Sequence, residues 1–141
     1  MIYSKIILPG NPTPLARPRF STKIGKAYNS QAKLMQHLSF LVAQQWSKFG
    51  YSVLNGSILC RTTFFMPIPK SLSKKKKDLL NGRYHDHRPD TDNLVKMILD
   101  VITLAGCCWN DDAQVAVINA TKIYSNKPKT EISLVSLGEN L

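Results

Sequence analysis

Cysteine is scarce in this sequence, and the positions of the few cysteines exclude two common kinds of structural support. The chain has three, Cys60 and the adjacent Cys107 and Cys108. No pair has the C-x-x-C spacing, and no cysteine has histidines at the spacing of a zinc site. A disulfide framework and a structural zinc site are therefore excluded, and we expect reduced cysteines that pack as small core side chains.

Long hydrophobic runs are missing as well. No segment approaches the ~18 apolar residues that a membrane span requires. Residues 1–6 also lack the basic start and the apolar stretch of a secretion signal. We therefore expect a cytoplasmic protein that has no membrane partner.

Acidic residues are few relative to basic ones. The chain of 141 residues has 19 Lys+Arg and nine Asp+Glu, which gives a formal net charge of +10 at pH 7. Such a charge attracts polyanions, and nucleic acid is the polyanion that we expect. The alternative is a basic protein whose charge serves only solubility. Because 43% of the residues are hydrophobic, the chain can bury a core, and we expect a single domain over residues 1–141.

Hydrophobic periodicity and turn residues predict the order strand, helix, strand, short helix, helix, strand, strand. The predicted strands are 2–8, 56–66, 114–124 and 130–137, and the predicted helices are 30–48, 71–80 and 92–105. Residues 9–28 are predicted to be a proline-rich loop, and residues 125–129 to be a hairpin connection. This order predicts an α+β fold in which helices pack on a mixed sheet.

Two basic segments are candidates for binding phosphate. The proline-rich loop carries Arg17 and Arg19 on a backbone that its prolines stiffen. The short helix carries four consecutive lysines, Lys74, Lys75, Lys76 and Lys77. Lysines of this kind bind the DNA backbone nonspecifically, with an affinity that falls as salt rises. An ordinary solvated surface is the alternative for both segments.

The scarce acidic residues are clustered. Five of the nine lie between residues 90 and 112, namely Asp90, Asp92, Asp100, Asp111 and Asp112. Carboxylates brought together persist as anions only beside a cation, and ligands that are all oxygen favour Mg²⁺ or Mn²⁺ over zinc. Lys96 lies one helical turn beyond Asp92, near any phosphate bound there. In the alternative, Asp92 caps a helix and pairs with Lys96, and Asp111 and Asp112 form a turn.

The same stretch carries a pattern that resembles a known family. The run Asp90-Thr91-Asp92-Asn93-Leu94-Val95-Lys96 is followed by Asp100, Ala105-Gly106, Trp109 and Asp111-Asp112-Ala113-Gln114-Val115. This pattern, D-x-D-N-L-x-K and then W-x-D-D-x-Q, resembles the signature of the RusA family of Holliday-junction resolvases. The opening from Leu8 to Pro14, with Arg17-Pro18-Arg19-Phe20, is similar to the loop of many phage and prophage members.

The resemblance implies a RusA-like fold and a homodimeric, bacterial, nucleoid-associated endonuclease. Such enzymes depend on Mg²⁺ or Mn²⁺ and cut four-way DNA junctions symmetrically in recombination and repair. Carried over by motif, the catalytic residues are Asp90, Asp92, Asp112 and Lys96, and the three aspartates hold the metal ion. Where the best-known member has a run of arginines, this chain has Arg88, which we expect to contact DNA. A noncatalytic DNA-binding module and a metal-dependent nuclease acting on other branched nucleic acids are the alternatives.

Overall fold

The computed structural model describes residues 3–17, 19–23 and 25–138. The strands are β1 (Tyr3–Pro9), β2 (Arg19–Ser21), β3 (Lys26–Tyr28), β4 (Ile58–Pro67), β5 (Val115–Ser125) and β6 (Lys129–Ser136). The helices are α1 (Ala32–Lys48), α2 (Lys74–Leu80) and α3 (Thr91–Ala105), and a 3₁₀ helix spans Asp112–Gln114. The predicted α+β class is confirmed, because helices pack on a mixed four-stranded sheet in one small domain.

Strand β4 lies inside the sheet, and its sequence explains why. Its alternate residues Ile58, Cys60, Thr62, Phe64 and Met66 are all buried, which is the two-residue period of a strand with one face against a core. The sheet order is β1-β6-β4-β5. Strand β4 pairs antiparallel with β6 and parallel with β5, so both of its edges are hydrogen bonded.

The predicted hairpin between the last two strands is wrong. Strands β5 and β6 do not pair with each other, because β4 lies between them. The connection at residues 126–128 crosses the end of β4, where Pro67 lies opposite Ser125 and Phe65 lies opposite Lys129. A short polar connection predicts a reversal of the chain but not which strands pair. Here the long apolar strand β4 pairs with both β5 and β6.

The core lies between one face of the sheet and two helices. Helix α1 packs against α3 and β1. The buried residues of α3 are Leu94, Val95, Met97, Ile98, Val101 and Ile102, and those of α1 are Met35, Ser39, Val42 and Trp46. Both sets recur at three- and four-residue steps, and the periodicity that predicted α3 also predicted most of its buried residues. In α1 only Val42 and Trp46 of the predicted apolar face are buried, whereas Leu34, Leu38 and Leu41 are half-buried. No helix in the described part of the chain is long and apolar enough to cross a bilayer.

The cysteines are reduced, as predicted, and two are buried. Cys60 lies on the inner face of β4, and Cys108 follows α3. Burial raises the pKa of the Cys60 thiol to about 12, so it stays protonated at neutral pH. Cys60 and Cys108 are therefore packing residues rather than nucleophiles.

The predicted loop at residues 9–28 contains a short hairpin that the sequence did not reveal. Strands β2 and β3 have three residues each and pair antiparallel, with Phe20 opposite Ala27. Such short strands show no alternation of polar and apolar residues, because β3 is exposed along its whole length. The strand count in the predicted order was therefore too low.

Candidate active site

Asp90 lies at the N-terminal end of α3 and its carboxylate is not used to cap the helix. It occupies the N-cap position with extended backbone angles, yet its side chain accepts no capping hydrogen bond. An aspartate at this position commonly accepts a hydrogen bond from a backbone N–H in the first helical turn. The exposed Asp90 carboxylate is therefore available to a ligand, at the positive end of the helix dipole.

Asp92 and Lys96 form a surface ion pair on the first turns of α3. The Lys96 Nζ atom lies 3.9 Å from the Asp92 Oδ2 atom, and the two side chains are 61% and 71% exposed, in that order. The alternative that Asp92 caps the helix is wrong, because Asp90 occupies the cap position, whereas the ion pair itself is present. An exposed pair contributes about 0–1 kcal/mol, so either partner can turn to a ligand at little cost.

The chain leaves α3 through a turn that places Asp111 and Asp112. Gly106 ends the helix with a left-handed backbone (φ 75°). Trp109 is buried, and its Nε1–H donates to the Thr103 hydroxyl at 3.0 Å. The Asp111 carboxylate accepts a hydrogen bond from the Ala113 N–H at 3.0 Å and caps the 3₁₀ helix. Asp111 therefore supports the turn, while Asp112 follows as the first residue of that helix.

Gln114 fixes this turn with both ends of its amide. Its Oε1 atom accepts hydrogen bonds from the N–H groups of Asn110 and Asp111 at 2.8 and 3.1 Å. Its Nε2 donates to the carbonyl oxygens of Leu54 and Gly56, both at 3.0 Å. The turn is thereby tied to the segment that leads into β4. The family pattern includes Gln114 without indicating this role, although its place three residues after an aspartate is the spacing of a capping box.

Asp112 has neighbours of the same charge. Partial burial raises the pKa of Asp112, and a side-chain hydrogen bond with Asp111 and the negative charges of Asp111 and Asp100 raise it further. Asp100 lies two steps of four residues beyond Asp92 along α3. Asp100 belongs to the acidic cluster of the sequence but was not predicted to be a site residue, although its i+8 spacing from Asp92 was a signal. The turn therefore faces the acidic side of α3 at Asp100.

The predicted metal ligands do not form a ready-made cage. Within residues 3–17, 19–23 and 25–138, no group of three or more His, Cys, Asp or Glu side chains is arranged to hold a metal ion. The chemistry of the donors nevertheless fits Mg²⁺ or Mn²⁺, because they are all carboxylates. Asp90 makes no capping hydrogen bond, so its carboxylate is free to bind a cation. A nearby cation would also offset the negative charges that surround Asp112 and would stabilise its ionised form. Mg²⁺ itself is usually bound by one or two carboxylates together with substrate phosphates.

The predicted DNA-binding residues lie on the surface. Arg17 and Arg88 are exposed, as are three of the four lysines of α2, whereas Lys77 is half-buried. Ser73 caps α2 by accepting a hydrogen bond from the Lys76 N–H at 3.3 Å. The side chain of Arg19 lies outside the part of the chain that the structure describes. The proline-rich loop is held beside α3, because the Leu15 N–H donates to the Asn93 carbonyl at 3.0 Å.

A strongly basic mixed α/β domain that presents carboxylates at its surface has the features of a protein that acts on nucleic acid. The chain belongs to the endodeoxyribonuclease RusA family, whose model matches residues 9–135. The match includes every residue of the pattern from Asp90 to Val115 and confirms the resemblance. The uncharacterized protein YqaN of Bacillus subtilis (strain 168) is 29% identical over 137 residues, covering 92% of this chain and 94% of its own.

Proposed function

We propose that this chain is a metal-dependent endonuclease that resolves Holliday junctions and related branched DNA by symmetric hydrolysis of two phosphodiester bonds. The observation that supports this most is the state of its acidic residues. Asp90 ends a loop without capping the helix that follows, and Asp112 lies against two like charges. The first leaves a carboxylate free to bind a ligand, and the second is relieved by a nearby cation. They occur in a strongly basic member of the RusA family.

Asp90, Asp92 and Asp112 would hold Mg²⁺ or Mn²⁺, with phosphate oxygens of the DNA as further ligands. When bound, the ion would polarise the scissile phosphate and lower the pKa of an attacking water. The ammonium group of Lys96 would stabilise negative charge that develops on the phosphate. Its exposed ion pair with Asp92 leaves it able to turn to that phosphate.

DNA would be held by the basic surface. Arg17 and Arg19 in the proline-rich loop, Lys74, Lys75, Lys76 and Lys77 on α2, and Arg88 before the first aspartate would bind phosphates. Such binding releases counterions and does not read sequence. Arg88 precedes Asp90 by two residues, so a phosphate that it binds would lie close to the metal-binding carboxylates.

Symmetric cleavage requires two sites, and we propose a homodimer with twofold symmetry to supply them. A twofold axis relates the two strands of a junction that are cut. The enzyme would act on DNA of the bacterial nucleoid, in the cytoplasm.

The test is cleavage of a four-way junction, a flap, a linear duplex and a single strand, each with and without Mg²⁺. We expect the wild-type protein to cut the junction in Mg²⁺ only. The variants Asp90→Asn, Asp92→Asn and Asp112→Asn should not cut but should still bind the junction, because each removes a ligand and also some repulsion of phosphate. Asp78→Asn, on the exposed surface of α2, is the matched control and should cut normally.

Other results of this test would contradict the assignment of a residue or favour another function. Cutting by Asp92→Asn would refute the role of that carboxylate. Binding of the junction without cutting in any metal ion would favour a noncatalytic DNA-binding module. Equal cutting of the flap and the junction would favour a nuclease of broader substrate range.

A further inference from the structure

Lys122 makes two short hydrogen bonds to the segment that leads into Asp90. It lies on β5 and is half-buried. Its Nζ atom donates to the carbonyl oxygens of His87 and Pro89, both at 2.7 Å. The backbone carbonyl of Lys122 also accepts a hydrogen bond from the His85 N–H at 3.0 Å. One residue of β5 therefore holds residues 85–89 at three points.

The partners of this ammonium group are unusual for a lysine. Within residues 3–17, 19–23 and 25–138, the lysines in ion pairs are Lys5, Lys96 and Lys129 but not Lys122. The charge of Lys122 is directed instead at two neutral carbonyl oxygens. Hydrogen bonds from a charged donor are shorter and stronger than those between neutral groups. The interaction therefore holds the backbone of the segment rather than balancing a carboxylate.

The two carbonyl groups that Lys122 binds lie just before Asp90 in the chain. The carbonyl of Pro89 belongs to the peptide group that joins Pro89 to Asp90, so fixing its oxygen fixes the plane of that peptide. The direction of the Asp90 side chain follows from that plane and from the start of α3. The Asp90 side chain makes no capping hydrogen bond that would fix the position of its carboxylate.

The stretch from Gln114 to Lys122 thus supplies a support for each acidic segment of the site. Gln114, immediately before β5, fixes the turn of Asp111 and Asp112, and Lys122, eight residues later, fixes the approach to Asp90. The two segments lie before and after α3, and each is held by a different residue of this stretch. Removal of the Lys122 ammonium group would release one segment and leave the other in place.

We propose that Lys122 is a positioning residue for the metal-binding carboxylate of Asp90. It touches neither the ion nor the DNA and acts by holding the peptide that precedes Asp90. The proposal rests on the proposed nuclease function, because it assigns Lys122 to the same site. Residues that orient a metal ligand typically change metal affinity or activity by about 10- to 100-fold when they are replaced.

The test compares Lys122→Met with Lys127→Met, which removes the same charge from an exposed position in the connection between β5 and β6. Three quantities are measured. They are the Mg²⁺ concentration for half-maximal junction cleavage, the Mn²⁺ affinity by electron paramagnetic resonance with a short linear duplex present, and the junction affinity in EDTA. Thermal melting reports folding.

We expect Lys122→Met to raise the half-saturating Mg²⁺ concentration and the Mn²⁺ dissociation constant by about tenfold or more. Its junction affinity in EDTA should match that of Lys127→Met. Lys122→Arg keeps the charge and the donors, and it should recover most of the metal affinity. If Lys122→Met does not fold, Lys122→Gln, which keeps one donor group, is measured in its place and should give a smaller increase of the same sign.

A folded Lys122 variant with unchanged Mg²⁺ and Mn²⁺ constants would overturn the proposal. So would a weaker junction affinity in EDTA without a change in the metal constants, since that would make Lys122 a DNA-binding residue. Neither result would affect the proposed nuclease function. That function fails separately, if the wild-type protein cuts no DNA in any metal ion.

Discussion

Replacing Gln114 by leucine should destabilise the protein while keeping the volume of the side chain. The change removes four hydrogen bonds, two accepted from N–H groups and two donated to carbonyl oxygens. One neutral hydrogen bond contributes about 1 kcal/mol, so the four together contribute about 4 kcal/mol where water does not replace them. Gln114 is half-buried, and water can replace part of this hydrogen bonding. We therefore expect the free energy of unfolding to fall by about 2–3 kcal/mol.

The assay is urea denaturation, followed by circular dichroism. Gln44→Leu is the matched control, because Gln44 is exposed on α1, and its unfolding free energy should change by less than about 0.5 kcal/mol. The variant Gln114→Glu distinguishes the hydrogen bonds of the amide oxygen from those of the amide nitrogen. Its carboxylate can still accept from Asn110 and Asp111 but cannot donate to Leu54 and Gly56, so it should also be destabilised. If Gln114→Leu unfolds at the same urea concentration as the wild type, the turn is not held by this side chain.

Two further results are expected from the surface charges. Replacing Lys74, Lys75, Lys76 and Lys77 by alanine should weaken DNA binding and flatten its salt dependence, by about 0.9 in the log–log slope for each phosphate that the protein no longer neutralises. Turnover at saturating DNA should stay the same, and an unaltered slope would show that α2 does not touch DNA. Asp100→Asn should lower the pKa of Asp112, because it removes a like charge. The pH below which Mn²⁺ no longer binds should then fall, since the ion needs the deprotonated carboxylate; an unchanged midpoint in Mn²⁺ titrations would contradict this.

The elements of this fold follow from local patterns, whereas their arrangement does not. The step of three and four residues from Leu94 to Ile102 predicted α3, and the run of β-branched and aromatic residues predicted β4. The position of β4 between β5 and β6 depends on which apolar faces meet in the folded chain. A local pattern contains no information on that choice, and the predicted hairpin failed for this reason.

The candidate site shows the same division. The spacing of Asp90, Asp92 and Lys96 identified the segment, because motif and helical period both act over a few residues. The hydrogen bonds of Gln114 to Leu54 and Gly56, and those of Lys122, join residues that are 33 to 60 positions apart, so they depend on the tertiary structure. Asp100 was named in the acidic cluster but was not predicted to be a site residue, for a related reason. Its influence on Asp112 requires that the turn after α3 comes back to the helix.

The sheet order also determines when the sheet can be completed during synthesis of the chain. Strand β6 is made after the other five strands, yet it lies between β1 and β4 and pairs with both. Until β6 emerges from the ribosome, β1 has no strand to pair with in the four-stranded sheet. Pairing between strands so far apart in sequence is slow. A partly synthesised chain that ends before β6 would therefore contain Asp90, Asp92 and Asp112 but lack the strand that joins β1 to β4.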